Sequence, residues 1–182
     1  MRSLVLLVFV VGCAAPLRAP VVSPAVHIYE SHENTAITEG DTVIAADPDV
    51  AYAAASDYGR WTAMFPNIRM VAVTRRDGND ALVRLTRADG NFNDVHFHNQ
   101  PAVRKVWFEN TNSKATVWAE IVFAPGDRPA TTRVHSRLYA DVDGLASIFV
   151  SKNKLRNLRQ QRVASDLADL RAYFAKVFAS TP

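Results

Sequence analysis

The chain has 182 residues, with 21 basic and 18 acidic side chains and a formal charge of +3. So weak a basic balance carries no signature of nucleic-acid binding, and the basic residues are scattered apart from one cluster, Lys152, Lys154, Arg156, Arg159 and Arg162. A single cysteine excludes an internal disulfide, so stability has to come from packing, and the length suits one well-cored domain.

Arg2 opens the chain, residues 4–11 are an unbroken apolar run, and Gly12 and Cys13 follow. The run is far shorter than the roughly 20 apolar residues of a membrane span and has the size of an export-signal core. Val10-Val11-Gly12-Cys13 resembles a bacterial lipoprotein processing box. The resemblance implies cleavage before Cys13, lipid on that cysteine and a site at the cell envelope. Ala14, where inner-membrane lipoproteins carry an aspartate, points to the outer membrane with the domain facing the periplasm. Several acyl chains anchor firmly where one does not, at about 0.8 kcal/mol per buried CH₂. An ordinary secretory signal cleaved near Ala14-Ala15 is the alternative. Residues 1–12 are then a signal peptide and residues 13–34 the anchor site and a tether with Pro16, Pro20 and Pro24, leaving 35–182 as the domain.

Residues 37–45 read as a first strand, and Asp47 caps a short helix with Pro48 in its first turn. The helix ends near Asp57-Tyr58-Gly59, and a second helical turn over 60–65 is stopped by Pro66. Strands follow at 70–74, 81–86, 91–98, 103–110, 114–124 and 131–142. Their short polar and glycine-bearing turns favour antiparallel pairing. Val117, Ala119, Ile121 and Phe123 share one face of their strand, and Thr116, Trp118, Glu120 and Val122 the other. Val134, Ser136, Leu138 and Ala140 likewise oppose Arg133, His135, Arg137 and Tyr139.

Beyond Gly144 the period changes to that of a helix over 151–177, with an apolar stripe of Leu155, Leu158, Val163, Leu167, Leu170, Phe174 and Phe178. Arg156, Arg159, Arg162, Asp166, Asp169 and Arg171 fill its other side. The basic run within it reads as a solvated face, with contact to anionic lipid as the alternative. At 1.5 Å per residue the helix is roughly 40 Å long and has to bury its stripe on the sheet. The expected fold is therefore α+β: a curved antiparallel sheet of about six or seven strands wrapped on one long C-terminal helix, with two short helices after the first strand.

This order resembles the START-like superfamily, also called SRPBCC or helix-grip, and its polyketide-cyclase-like members. The local residues that carry the resemblance are 44–52 (Ile-Ala-Ala-Asp-Pro-Asp-Val-Ala-Tyr), Asp57-Tyr58-Gly59-Arg60-Trp61 and Phe65-Pro66-Asn67-Ile68. The approach to the last helix, 143–150, is similar too, without the usual proline. The resemblance implies an apolar ligand, a lipid or a polyketide-like molecule, held between sheet and helix. By position Trp61, Phe65, Phe97, Trp107, Trp118, Tyr139, Phe149 and Leu155 are expected to line or gate that space, with Arg137 as a head-group contact. Filling of a collapsed core is the alternative for each aromatic.

Asp94, His96 and His98 alternate along one strand and His135 lies on a later one. These are zinc-ligand types, but strand neighbours two apart stand nearly 7 Å from each other, so a polar row is the simpler reading. His96 or His135 with Glu120 has the chemistry of a general acid–base pair. No nucleophile elbow, dinucleotide fingerprint or phosphate loop is present, so no cofactor is expected. The leading expectation is a membrane-tethered carrier or sensor of a hydrophobic small molecule or lipid. A small cyclase- or hydrolase-like enzyme and an envelope protein-interaction module are the rivals, and no protein partner is identified.

Overall fold

The structure is a computed structural model that describes residues 25–110, 115–142 and 151–179. Eight strands form one sheet: β1 (Val26–Glu30), β2 (Ile37–Ile44), β3 (Ile68–Asp77), β4 (Asp80–Arg87), β5 (Phe92–Gln100), β6 (Lys105–Asn110), β7 (Ala115–Pro125) and β8 (Thr132–Val142). They lie in the order β1-β2-β8-β7-β6-β5-β4-β3, and every neighbouring pair is antiparallel. Between β2 and β3 come α1 (Pro48–Ser56), a 3₁₀ turn (Tyr58–Arg60) and α2 (Trp61–Met64), and a second 3₁₀ turn (Pro101–Val103) precedes β6. The chain closes with α3 (Lys152–Ala179).

This is the α+β helix-grip arrangement the sequence led us to expect, with one strand more. β1 falls inside the stretch read as tether. Its five residues, VHIYE, carry only Val26 and Ile28 on the inner side, too short an alternation to stand out after three prolines. Val26 is nevertheless buried, and β1 pairs along its whole length with β2. Cys13, Phe149 and the whole approach to the last helix, 143–150, lie outside the described residues.

The helix boundaries follow local chemistry. The N–H of Asp49 donates to Asp47 Oδ1 at 2.9 Å and Pro48 occupies the first turn. At α3 the N–H of Lys154 donates to Ser151 Oγ at 3.2 Å and that of Leu155 to the Ser151 carbonyl at 3.0 Å. The two side-chain contacts, from Asp47 and Ser151, are caps that satisfy donors the helix itself leaves unpaired.

α3 lies across the inner face and presses Val163, Leu167, Leu170 and Phe174 into the core beside Ile44, Phe123 and Val134. Gly40 on β2 makes the close approach possible. A Cβ there would stand 2.7 Å from both Ile28 Cδ1 and Val163 Cγ1 and 2.9 Å from Leu167 Cδ1. The sheet's other end is plugged by Tyr58, Trp61, Phe65 and Phe97. Trp61 has ring centroids 5.0 Å from both Phe65 and Phe97, and its indole N–H donates to the Ala55 carbonyl at 2.8 Å.

Candidate functional site

Where α3 passes over the middle of the sheet, its first turns stand off from β4–β8 and leave a cavity of about 210 Å³. Its apolar wall is built from Leu85, Val95, Phe108, Ile121, Leu138 and Leu155. The space exists because β7 and β8 present small residues there: Ala119, Ser136 and Ala140 point inward where larger side chains would reach the helix. A wider groove of about 680 Å³ runs near the end of β2, but Asp41, Arg128, Arg133 and Arg171 line it. A charged groove of that kind keeps its water, whereas the aliphatic cavity gains from expelling it.

The cavity wall is not wholly apolar. Asn93 is buried, and its Oδ1 has no hydrogen-bond partner. An acceptor left unmet in that position costs about 1–3 kcal/mol, which a donor on a bound molecule would recover. On α3 Arg162 Nε donates to Asp166 Oδ2 at 2.7 Å. Burial pushes the Asp166 carboxyl above the usual carboxylate range, while Arg162 and Arg87 pull it back down. One turn further, burial and the neighbouring Asp166 carry Asp169 up to about 6.

Arg159 also lines the cavity and is only 5 % exposed. It donates to the carbonyls of Thr35 (2.9 Å) and Ala140 (3.0 Å) and to Thr38 Oγ1 (3.4 Å). Among the described residues no carboxylate lies in ion-pair contact with it, and burial pulls its pKa down from the ordinary arginine value. A guanidinium stays charged in such a setting, so the cavity retains a cation held by two carbonyls and the Thr38 hydroxyl, with the Glu30 and Asp141 carboxylates favouring its charge from beyond contact. Arg159, Arg162 and Asp166 were expected on the solvated side of the helix, and the structure corrects this. The apolar stripe slips between Leu158 and Val163, and the charged residues fill that gap facing the sheet.

The other expected site residues divide by strand parity. Trp61, Phe65 and Phe97 are buried in the aromatic plug, which backs the cavity through Phe108, 5.2 Å from Phe97 and 6.2 Å from Trp61. Leu155 lines the cavity as expected. Trp107, Trp118, Arg137 and Tyr139 were expected inside and stand on the outer face instead. Trp118 and Tyr139, paired across β7 and β8, stack on each other at 5.6 Å with planes 7° apart. Such stacking shelters two rings without the core.

Arg137 joins a lattice of ion pairs on that same outer face, with Glu33 at 2.9 Å, Glu120 at 3.3 Å and Glu39 at 3.4 Å. Glu120 also meets Lys105 at 3.4 Å, and His135 Nδ1 meets Asp41 at 3.0 Å. His96, Glu120 and His135 therefore cannot act on a molecule in the cavity. Asp94 is gripped by Arg84 through two contacts of 2.7 and 2.8 Å. His135 on β8 is three strands, about 14 Å, from β5. The set Asp94, His96, His98 and His135 is thus not brought together, although His96 and His98 do meet.

Inner-face residues missed in the sequence include Asn93, Phe108 and Asp166. Their signal was present in register: once Val117, Ala119 and Ile121 are taken as the inner face of β7, pairing fixes Phe108 opposite Ala119, and through β6 and β5 Val95 opposite Asn110.

The family described as polyketide cyclase / dehydrase and lipid transport matches residues 35–175. No curated protein sequence matches the chain. Among solved structures, TTHA0849 from Thermus thermophilus is similar with a TM-score of 0.66 and 19 % identity, over 80 % of this chain and 99 % of its own. The di-domain ARO/CYC BexL from the BE-7585A biosynthetic pathway has a TM-score of 0.65 and 18 % identity, over 80 % of this chain and 48 % of its own. The lipid transfer and protein localization domain of human StarD13 has a TM-score of 0.59 and 10 % identity, over 82 % of this chain and 83 % of its own. At these identities the likeness is one of fold.

Proposed function

Because the chain belongs to the polyketide cyclase / dehydrase and lipid transport family, we propose that it binds a lipid or other hydrophobic small molecule between the sheet and α3 and carries or senses it at the cell envelope. The observation that carries this reading is the aliphatic cavity of about 210 Å³ beneath the first turns of α3. Burial there removes ligand surface from water at about 25 cal/mol per Å². The volume lies below the ~300–1,000 Å³ of most ligand sites, so a compact molecule or a short acyl chain fits within it and a larger one extends beyond its walls. The unmet acceptor of Asn93 and the Arg162–Asp166 pair favour a ligand with a donor-bearing polar group rather than a pure hydrocarbon.

The envelope address is part of the same proposal. Its support is the apolar run of residues 4–11 ending on Gly12-Cys13, with lipid on Cys13 holding the domain to the outer membrane. Organic extraction of the purified full chain separates the two kinds of lipid, since the anchor stays covalently attached. Mass spectrometry of the extract is expected to give close to one hydrophobic molecule per chain, and little from Ala119→Phe or the milder Ala140→Leu. Equal recovery from the wild type and both folded variants would overturn the reading.

A second reading, a small cyclase- or hydrolase-like enzyme, draws on one observation. An acidic and a basic group, Asp166 and Arg162, meet at 2.7 Å on the cavity wall, and burial raises the Asp166 carboxyl. If this reading is right, extracts from wild type and Asp166→Asn contain chemically different molecules. If both contain the same one, the carrier stands alone.

A further inference from the structure

We infer that the outer face of β4–β5–β6 carries a divalent transition-metal site, with His96 and His98 as imidazole ligands between two carboxylates, Asp80 and Glu109. Asp80, His96 and His98 each place one ligand atom within 4.8 Å of the others. Glu109 Oε1 lies 3.8 Å from His96 Nδ1 and 3.9 Å from His98 Nε2. Cross-strand pairing brings the four together, since His98 is opposite both Asp80 and Trp107, and His96 is opposite Glu109.

Two features separate this cluster from an ordinary polar row. Side chains two apart on a strand stand nearly 7 Å from each other, yet the rings of His96 and His98 lean together until their centroids are 4.2 Å apart. The His98 ring is also fixed on both sides. Its Nδ1 meets Asp80 Oδ1 at 2.9 Å, and its plane packs on Trp107 at 4.4 Å. In the tautomer whose Nδ1 proton goes to Asp80, Nε2 presents a lone pair. That atom is buried and has no hydrogen-bond partner.

What faces the lone pair is another acceptor, the Glu109 carboxylate, and an ionised carboxylate donates nothing. Two acceptors 3.9 Å apart are an arrangement that a cation bound between them satisfies. The carboxylate–histidine arrangement of Asp80 and His98 is the one that orients imidazole toward a metal. Two imidazoles with carboxylate oxygen suit zinc, and by the usual affinity order also nickel or copper, over magnesium or calcium. His96 and Glu109 are 38 % and 45 % exposed at their side chains, so the ion is reached from solvent and keeps water in its open positions.

The test is calorimetric titration of the untagged full chain in detergent with zinc chloride, repeated with cobalt(II) for its visible ligand-field bands. One zinc per chain is expected to bind saturably, with cobalt giving bands of nitrogen–oxygen coordination. Zinc is also expected to raise the melting temperature, because it binds the folded chain. His96→Ala and Glu109→Gln should each lose at least tenfold in affinity and the cobalt bands, whereas His135→Ala, on the same face but outside the cluster, keeps both. Absence of saturable one-to-one binding by the wild type would overturn the site. So would wild-type affinity in His96→Ala and Glu109→Gln chains whose circular dichroism shows them folded. A cluster satisfied only by a proton gives that first result.

Discussion

Arg159 Nη2 on α3 donates to the main-chain carbonyl of Thr35 at 2.9 Å, joining the long helix to the residues that lead into β2. Its Nη1 holds the Ala140 carbonyl of β8 in the same way at 3.0 Å. One buried guanidinium thus fastens the helix to two strands beside the cavity. Arg159→Met keeps most of the volume and removes the donors. Two part-buried carbonyls then lose their partners, at most about 1–3 kcal/mol each, against which the relief of desolvating a cation is set. A net loss of about 1–3 kcal/mol is expected in urea unfolding, with an unchanged denaturant slope.

Filling the cavity should separate binding from stability. Ala119 is buried on the inner face of β7, and Trp118 beside it points outward. Ala119→Phe occupies the space a ligand would take and is expected to weaken uptake of a fluorescent medium-chain fatty acid at least tenfold. Trp118→Ala loses the stack on Tyr139, about 1 kcal/mol, and leaves uptake unchanged. The reverse pattern would mean that the apolar ligand is held on the outer face.

These two neighbours also mark where the sequence was legible. The alternation Val117, Ala119, Ile121, Phe123 is a clean inner face, and the stripe from Val163 to Phe174 is a clean helix face, so the long helix and every strand but β1 could be read from periodicity and turns. The site was harder, because large aromatics suggest a pocket and small residues suggest nothing. Here the cavity is made by Ala119, Ser136 and Ala140, and the conspicuous Trp107, Trp118 and Tyr139 shelter one another or a histidine on the outside. Arg159, Arg162 and Asp166 were misassigned for a related reason. Charge argues for solvent until pairing and carbonyl contacts supply another solution, and those partners come from distant parts of the chain. His96 and His98 were visible as a pair, but Asp80 and Glu109 join them only through the register of β4, β5 and β6.

The approach of α3 to β2 depends on the missing side chain at Gly40. In Gly40→Ala the new methyl meets Ile28, Val163 and Leu167, all at less than 3 Å before relaxation. Overpacking of this kind costs about 1–3 kcal/mol. Because Val163 also lines the cavity, the helix displacement should appear in ligand affinity as well as in the thermal midpoint. A variant as stable as wild type would show that β1 and α3 yield freely at this contact.

The carboxyls of α3 give stability a pH dependence of defined sign. Burial, then the nearby Asp166 charge, lift Asp169 to about 6 in the folded chain, against an ordinary value of 3.8, while Arg162 opposes the rise. Asp166 shifts in the same direction. A folded-state pKa above the unfolded one means that the native chain binds more protons through the interval between them. Stability from this source is full below about pH 4 and is lost as pH rises through about 6, flattening beyond. Asp169→Asn removes the charge that must otherwise be carried at neutral pH. It is therefore expected to raise stability at pH 7.5 by about 1 kcal/mol, after allowing for the partial exposure of the group, and to leave stability near pH 4 almost unchanged. Urea midpoints of the two chains at a series of pH values check the shape. A gain for Asp169→Asn that is equal at pH 4 and pH 7.5 would show that the effect comes from packing or helix propensity and not from the proton.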